Sequence, residues 1–401
     1  MDKEQLNQEK NSEMSGGALG SAQLFLKEHY KTLGELKQRG ILGSELYGGA
    51  HPNLSEERSL LYDVNKPLRG AVWYGFLNNL SFLDDSASDV DETAQLMEVS
   101  HRVLANDEDL EVMDLDIKRL LLYNIYEREQ ECRDIEKILY NYCKQNGQMY
   151  KQGMHELAGV MYMQMRGIFY NGNGVITPSL ETVYVGFNNY MNLQQFSFDE
   201  VELFNFKNFH FEPMLQASFP SISRCLDSKH KLNNMLWLLR WLRLCFLREF
   251  EELDHLLIIW DHLIMQNDNT SLKKSQQKYQ SFMTFLLIIF LVYRSKEIIY
   301  KCQDQSELLH LFFHFFNTKF FHKKRLQAIL ECCNGLVEGK DLNGGAELPN
   351  TTDIRNAIKK LVCNDGETSK DLDMDWFHMF FEIHDYNRLK LQQRLKDKFK
   401  S

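Results

Sequence analysis

Arg119 and Gln152 carry the two side chains best suited to chemistry on another molecule. An arginine guanidinium is a planar, permanently charged fork that stabilises negative charge developing on oxygen; lysine lacks the fork and substitutes poorly. A glutamine amide is donor and acceptor at once, so it can orient an attacking water without taking its proton. Taken singly, an arginine behind an acidic stretch reads as a surface salt-bridge residue, and a glutamine beside Gly153 reads as a loop residue. Their placement relative to each other adds to those readings.

Arg119 is followed by an apolar run over 120–126 and then a polar turn through Arg128, Glu129, Gln130 and Glu131. Beyond it Ile135, Ile138, Leu139, Tyr142 and Cys143 recur at the spacing of one buried helix face, ending at Gly147. Two antiparallel helices of roughly ten to thirteen residues, each about 15–20 Å long, put the position before the first and the position after the second at one end. Arg119 and Gln152 are then expected to be neighbours in space.

The surrounding residues carry a resemblance. Met113-x-x-Asp116-x-x-Arg119 and Tyr150-x-Gln152 resemble the two finger motifs of the TBC-domain Rab GTPase-activating proteins. Arg69-Gly70-Ala71-Val72-Trp73 resembles a third motif of that family, and Arg240-Trp241-Leu242-Arg243 with Trp260-Asp261 a fourth. The motifs stand in the family's order, and the resemblance covers roughly residues 60–300. The stretches Tyr150-Lys151-Gln152-Gly153-Met154-His155-Glu156-Leu157 and Arg240-Trp241-Leu242-Arg243 are most similar to the branch with the yeast Golgi and metazoan retromer-associated members. The chain departs from the pattern at Leu120, where the family usually has threonine, at Met113, usually a branched aliphatic residue, and in having no proline between Pro67 and Pro178.

The resemblance implies an all-α, two-lobed TBC domain. Composition along the chain places an N-terminal extension at 1–53, partly disordered, a helical lobe at 54–195 carrying both finger motifs, and a second helical lobe at 196–401. The resemblance implies a GTP-bound Rab as partner, with Arg119 stabilising the transition state, Gln152 orienting water, Asp116 bracing Arg119 and Tyr150 fixing the glutamine loop. Arg69, Gly70, Trp73, Gly153, Met154, Arg240, Trp241, Trp260 and Asp261 are implied to be structural. GTP and Mg²⁺ come with the GTPase, so no cofactor or metal is expected on this chain. A cytoplasmic protein recruited to Golgi or endosomal membranes, with a coat or retromer component as a further partner, follows from the branch. The rival reading is an adaptor that binds a Rab or coat without catalysis.

Composition agrees with a helical globular protein: 401 residues, 44% hydrophobic, 25% charged and only six prolines. A net charge of −10 disfavours nucleic acid, which requires a clustered basic surface. Eight cysteines without a C-x-x-C pair, behind a polar N-terminus, suit reduced thiols. Cys332-Cys333 reads as a helical position near Gly335 rather than a redox pair. The apolar run 282–293 is too short to cross a bilayer and reads as a buried helix.

Along the rest of the chain, residues 1–20 read as a disordered leader, 22–40 as a short helix, Ser55 as a helix start and 84–92 as an acidic loop. His155-Glu156 suggests a zinc helix, but Gly159 stands where the second histidine would be, so His155 is expected to make a polar contact near Gln152. Asn171-Gly172-Asn173-Gly174 marks a turn between helices. The aromatic stretch 187–211 reads as core, and 236–250 as strongly amphipathic with arginines in surface ion pairs. Polar connectors are expected at 266–277 and 335–352. At 388–400 Leu391, Leu395 and Phe399 recur every fourth residue among six basic side chains. A helix packing one edge on the domain is the favoured reading there, with contact to an anionic membrane or a partner groove as the alternative.

Overall fold

A computed structural model of the chain describes residues 37, 66–77, 96–97, 108–120, 129–165, 169–171, 174–176, 180–229, 235–267, 271–339, 350–368 and 370–400. The expected leader, the start at Ser55, the acidic loop and all of the 22–40 helix except Lys37 lie outside these residues, as do 121–128. The chain divides into two compact units, Met1–Leu193 with Asn267–Ser275, and Gln194–Gln266 with Gln276–Ser401.

The first unit contains helices α1 (Lys66–Leu77), α2 (Glu108–Lys118), α3 (Glu129–Gln145) and α4 (Met154–Met165), a hairpin of β1 (Phe169–Asn171) and β2 (Gly174–Ile176), and α5 (Leu180–Leu193). α1 and α4 approach so closely at Gly70 that a Cβ there would sit 2.3 Å from the Gln164 backbone oxygen. Trp73 and Phe76 on the same helix are buried, 0% and 1% exposed. The Arg69-Gly70-x-x-Trp73 pattern therefore has a packing cause. Gly70→Ala forces backbone apart rather than a flexible side chain, and is expected to cost about 1–3 kcal/mol, read as a lowered urea midpoint. An unchanged midpoint would contradict this helix contact.

α3 buries Ile135, Ile138, Leu139, Tyr142 and Cys143, the expected face, but it has 17 residues and begins at Glu129. Of the residues expected to form a polar turn, Glu129, Gln130 and Glu131 are its first turn, where Glu129 and Glu131 suit the positive end of the helix dipole. Residues 171–174 are not a simple turn between helices: Phe169 pairs with Ile176 and Asn171 with Gly174 in an antiparallel hairpin.

The second unit holds α6 (Glu200–Asn205), continued by a π-helical turn Phe206–Phe211, then α7 (Glu212–Ser218), α8 (Pro220–Arg224), α9 (Met235–Arg243), α10 (Leu253–Ile264) and most of α11 (Leu272–Tyr293). It continues with a π-helical turn Glu297–Lys301, α12 (Gln305–Phe313), α13 (Lys323–Val337), α14 (Thr351–Thr368), α15 (Met374–Glu382) and α16 (Tyr386–Lys400). Its core is aromatic: Trp237 stacks on Phe312 at 4.4 Å, and Trp241 meets Phe312, Phe315 and Phe316 edge-on. Phe187, Phe196, Phe198 and Phe206 are buried, whereas Phe204 and Phe209 are exposed, so the aromatic stretch is core only in part. The run 282–293 is buried within α11, and among the described residues no helix is long and apolar enough to cross a membrane.

The amphipathic stretch 236–250 is not one helix. α9 stops at Arg243, and Cys245 and Phe246 take left-handed backbone angles of 45° and 65°. The Phe246 N–H donates to the Trp241 carbonyl and the Cys245 N–H to that of Leu242, the two bonds of a Schellman cap, with cysteine where glycine is usual. Trp260 Nε1 donates to the Cys245 carbonyl at 3.0 Å and secures the turn. Arg240 pairs with Glu249 at 2.6 Å, but not as a surface ion pair, since the Glu249 side chain is 2% exposed. Burial pushes that carboxyl up to about 7, against the pull of the Arg240 guanidinium. Asp261, beside Trp260, is also fully buried.

Two connectors are shorter than expected. α11 begins at Leu272, and α13 runs through Gly335 to Val337. Burial raises the Cys332 thiol to about 11 and Cys333 well above its usual range, which suits inert packing rather than redox chemistry.

Candidate functional site

Arg119 follows the last residue of α2, its N–H donating to the Asp116 carbonyl at 3.1 Å in a closing turn. A cation there faces the negative end of the helix dipole. Gln152 lies in the loop between α3 and α4, where Gly153 has a φ of 104°, a conformation that side chains rarely adopt. That turn lets the chain enter α4 at Met154, which is fully buried, while Gln152 stays outside.

Asp116 and Tyr150 join the two segments. The Tyr150 hydroxyl donates to Asp116 Oδ2 at 3.0 Å and lies 2.6 Å from His155 Nδ1. Asp116, Tyr150 and His155 are buried, at 7%, 8% and 4% exposure, as are the neighbouring Met113, Ile117, Leu157 and Glu156, whose carboxylate lies 3.8 Å from His155 Nε2. Arg119 is three residues from one end of this bond and Gln152 two from the other, so the two motifs are held at one place in the first unit.

The phenol has a single proton. Given to Asp116, it leaves the phenolic oxygen as acceptor, so His155 must carry its proton on Nδ1 for both contacts to be hydrogen bonds. Burial and the neighbouring Asp116 carboxylate push the Tyr150 hydroxyl far above the usual phenol range, so it remains a neutral donor. Asp116 does not brace the Arg119 guanidinium as expected: among the described residues its carboxylate contacts Tyr150 and His155. The reason is geometric, since Asp116 points into the packing while Arg119 points out. His155 was foreseen only as a polar contact; its part in linking the motifs depends on tertiary structure, and its place three residues after Gln152 is the only sequence signal.

Arg119 and Gln152 are both exposed, and among the described residues neither side chain has a hydrogen bond or ion pair. Lys118, next to Arg119, is instead paired with Asp114 at 2.6 Å. An exposed guanidinium and an exposed amide, on segments joined by the buried Tyr150 to Asp116 bond, are open to a group brought by another molecule. No three His, Cys, Asp or Glu side chains converge as a metal site among the described residues.

Tyr150→Phe leaves the buried Asp116 without its phenolic donor and is expected to cost about 1–3 kcal/mol of stability in urea denaturation. A cost near zero would mean that the bond does not hold the two segments.

The Rab-GTPase-TBC domain family matches residues 66–299, more than half of the chain, and the chain belongs to that family. The family acts as GTPase activators, and membership implies a Rab GTPase as partner. Among solved structures the chain is similar to the crystal structure of the Ypt/Rab-GAP domain of Gyp1p, at 11% identity and a TM-score of 0.45 over 76% of this chain and 89% of that one. No curated protein sequence matches the chain.

Proposed function

We propose that this protein accelerates GTP hydrolysis on a Rab-family small GTPase by presenting Arg119 as an arginine finger and Gln152 as a glutamine finger. Support comes from one observation above all: two exposed, uncommitted side chains of the required chemistry are carried by segments tied through the Tyr150 to Asp116 hydrogen bond. Hydrolysis spreads negative charge over the transferring phosphoryl and the leaving oxygen, and an inserted guanidinium stabilises that charge more than it stabilises bound GTP. The amide holds the attacking water in line while asking for no proton. GTP and Mg²⁺ belong to the GTPase, so this chain contributes residues in trans and turns over nothing by itself. Tyr150 and His155 position the glutamine loop, and Asp116 anchors it to the turn that ends in Arg119.

Such an activator sets the lifetime of an active Rab in vesicle trafficking, and the sequence resemblance favours Golgi or endosomal membranes, with a coat or retromer component as a further partner. The rival is an adaptor that binds a Rab or coat without catalysis, a reading that rests on Leu120 standing where the family has threonine. Single-turnover GTP hydrolysis by a panel of Rabs, with and without the protein, separates them. Acceleration of at least one Rab by roughly 10³-fold or more supports catalysis. Binding without acceleration assigns the adaptor.

A further inference from the structure

The helix α16 has two unlike sides. Its packed side is formed by Tyr386, Leu389 and Gln393, the last donating to Asp397 Oδ1 at 2.9 Å. Tyr300 donates to the other Asp397 oxygen at 2.6 Å, so the single acid of this helix is occupied by hydrogen bonds. On the other side Leu391, Leu395 and Phe399 stand outward, 58%, 46% and 89% exposed. Residues four apart share a helix face, so the three form one apolar file. The helix thus packs one edge on the domain, as the sequence leads one to expect.

Cations border that file. At about 100° per residue, Arg394 and Lys396 fall to either side of Leu395, and Arg388 and Lys398 lie within about 60° of it. With Lys390 and Lys400 the helix has six basic residues and one acid, in a chain whose net charge is −10. The charge of this surface is therefore opposite to that of the molecule as a whole.

We propose that this face of α16 docks on an anionic bilayer surface. An apolar file bordered by long basic side chains enters the boundary between headgroups and acyl chains, while the cations reach lipid phosphates and carboxylates. A second copy of the same face is a poor occupant, because it would bring basic borders together around a narrow apolar contact. A protein groove would need acidic rims on both sides; a bilayer rich in acidic lipid supplies them continuously. The proposal does not depend on the GTPase reading, since it concerns a surface in the second unit.

The test is flotation of the full chain with vesicles of phosphatidylcholine alone or with about 30% phosphatidylserine. The expected result is about tenfold or more binding to the anionic vesicles over the neutral ones, falling severalfold in high salt. Leu391→Ser/Leu395→Ser and Arg388→Glu/Arg394→Glu are each expected to lose about tenfold. All four positions are exposed, so the variants are expected to keep their melting temperature and, in vesicle-free solution, any acceleration of a soluble Rab. No binding to anionic vesicles, equal binding to both kinds, or undiminished binding by the variants would overturn the proposal. A concentration-dependent dimer abolished by Leu395→Ser would assign the face to a second copy instead.

Discussion

Arg119→Ala is expected to remove roughly 10³–10⁵ of the acceleration of a Rab's single-turnover hydrolysis, about 4–7 kcal/mol of transition-state stabilisation, with little change in Rab binding. Arg119→Lys keeps the charge and loses the planar fork, so it is expected to stay close to the alanine variant. Gln152→Ala is expected to cost about 10²-fold or more, the order found when a reacting group is left misplaced. The two effects are expected to add to less than their sum in the double variant, because both side chains act on one transition state. A hydrolysis rate unchanged by either variant, with Rab binding intact, would refute the finger assignment and favour the adaptor.

Arg325→Met is expected to destabilise the second unit by about 3–5 kcal/mol, the usual cost of leaving a buried charge without its partner. The Arg325 side chain is fully buried, with Nε donating to Asp365 at 2.6 Å and Nη1 and Nη2 to Asp371 at 2.9 and 2.8 Å. It also lies over the rings of Phe320 and Tyr293, and the Tyr293 hydroxyl donates to the same Asp365 oxygen. Removing the guanidinium strands Asp365, 9% exposed at its side chain, whereas Asp371 at 39% can turn to water. The double variant Arg325→Met/Asp365→Leu is therefore expected to recover a large part of the loss. Equilibrium denaturation compares the two; a double variant no more stable than the single one would mean that packing around Arg325, rather than its charge, is what α13 requires.

The sequence made some of this molecule visible and hid the rest for identifiable reasons. The buried face of α3 could be read because helix periodicity is local, and the run 282–293 because, apart from Thr284, it is built of apolar and aromatic residues. The start of α3 could not, since acidic residues that begin a helix have the same composition as a loop. Arg119 and Gln152 could be picked out as a pair, but the bond joining their segments spans 34 residues between Tyr150 and Asp116, and no spacing rule encodes it. The end of α9 was obscured because the residue in its left-handed cap is Cys245 rather than glycine, so the usual stop signal is missing. Glu249 was misread for a similar reason: a charged residue beside arginines looks like surface until the fold covers it.

Asn267 has a consequence for how the protein is made. Its Nδ2 donates to the Phe76 and Leu77 carbonyls at 2.8 and 3.3 Å, closing the last turn of α1 from 190 or more positions away in the chain. A nascent chain that has just passed Leu193 lacks that donor. At roughly 5–20 residues per second the ribosome takes on the order of 4–15 seconds more to reach Asn267, and longer for it to clear the exit tunnel. During that interval the part of the first unit carrying Arg119 and Gln152 waits, unfinished, for a residue not yet translated, so a fragment truncated at 193 is expected to be a client for chaperones rather than a stable minimal domain.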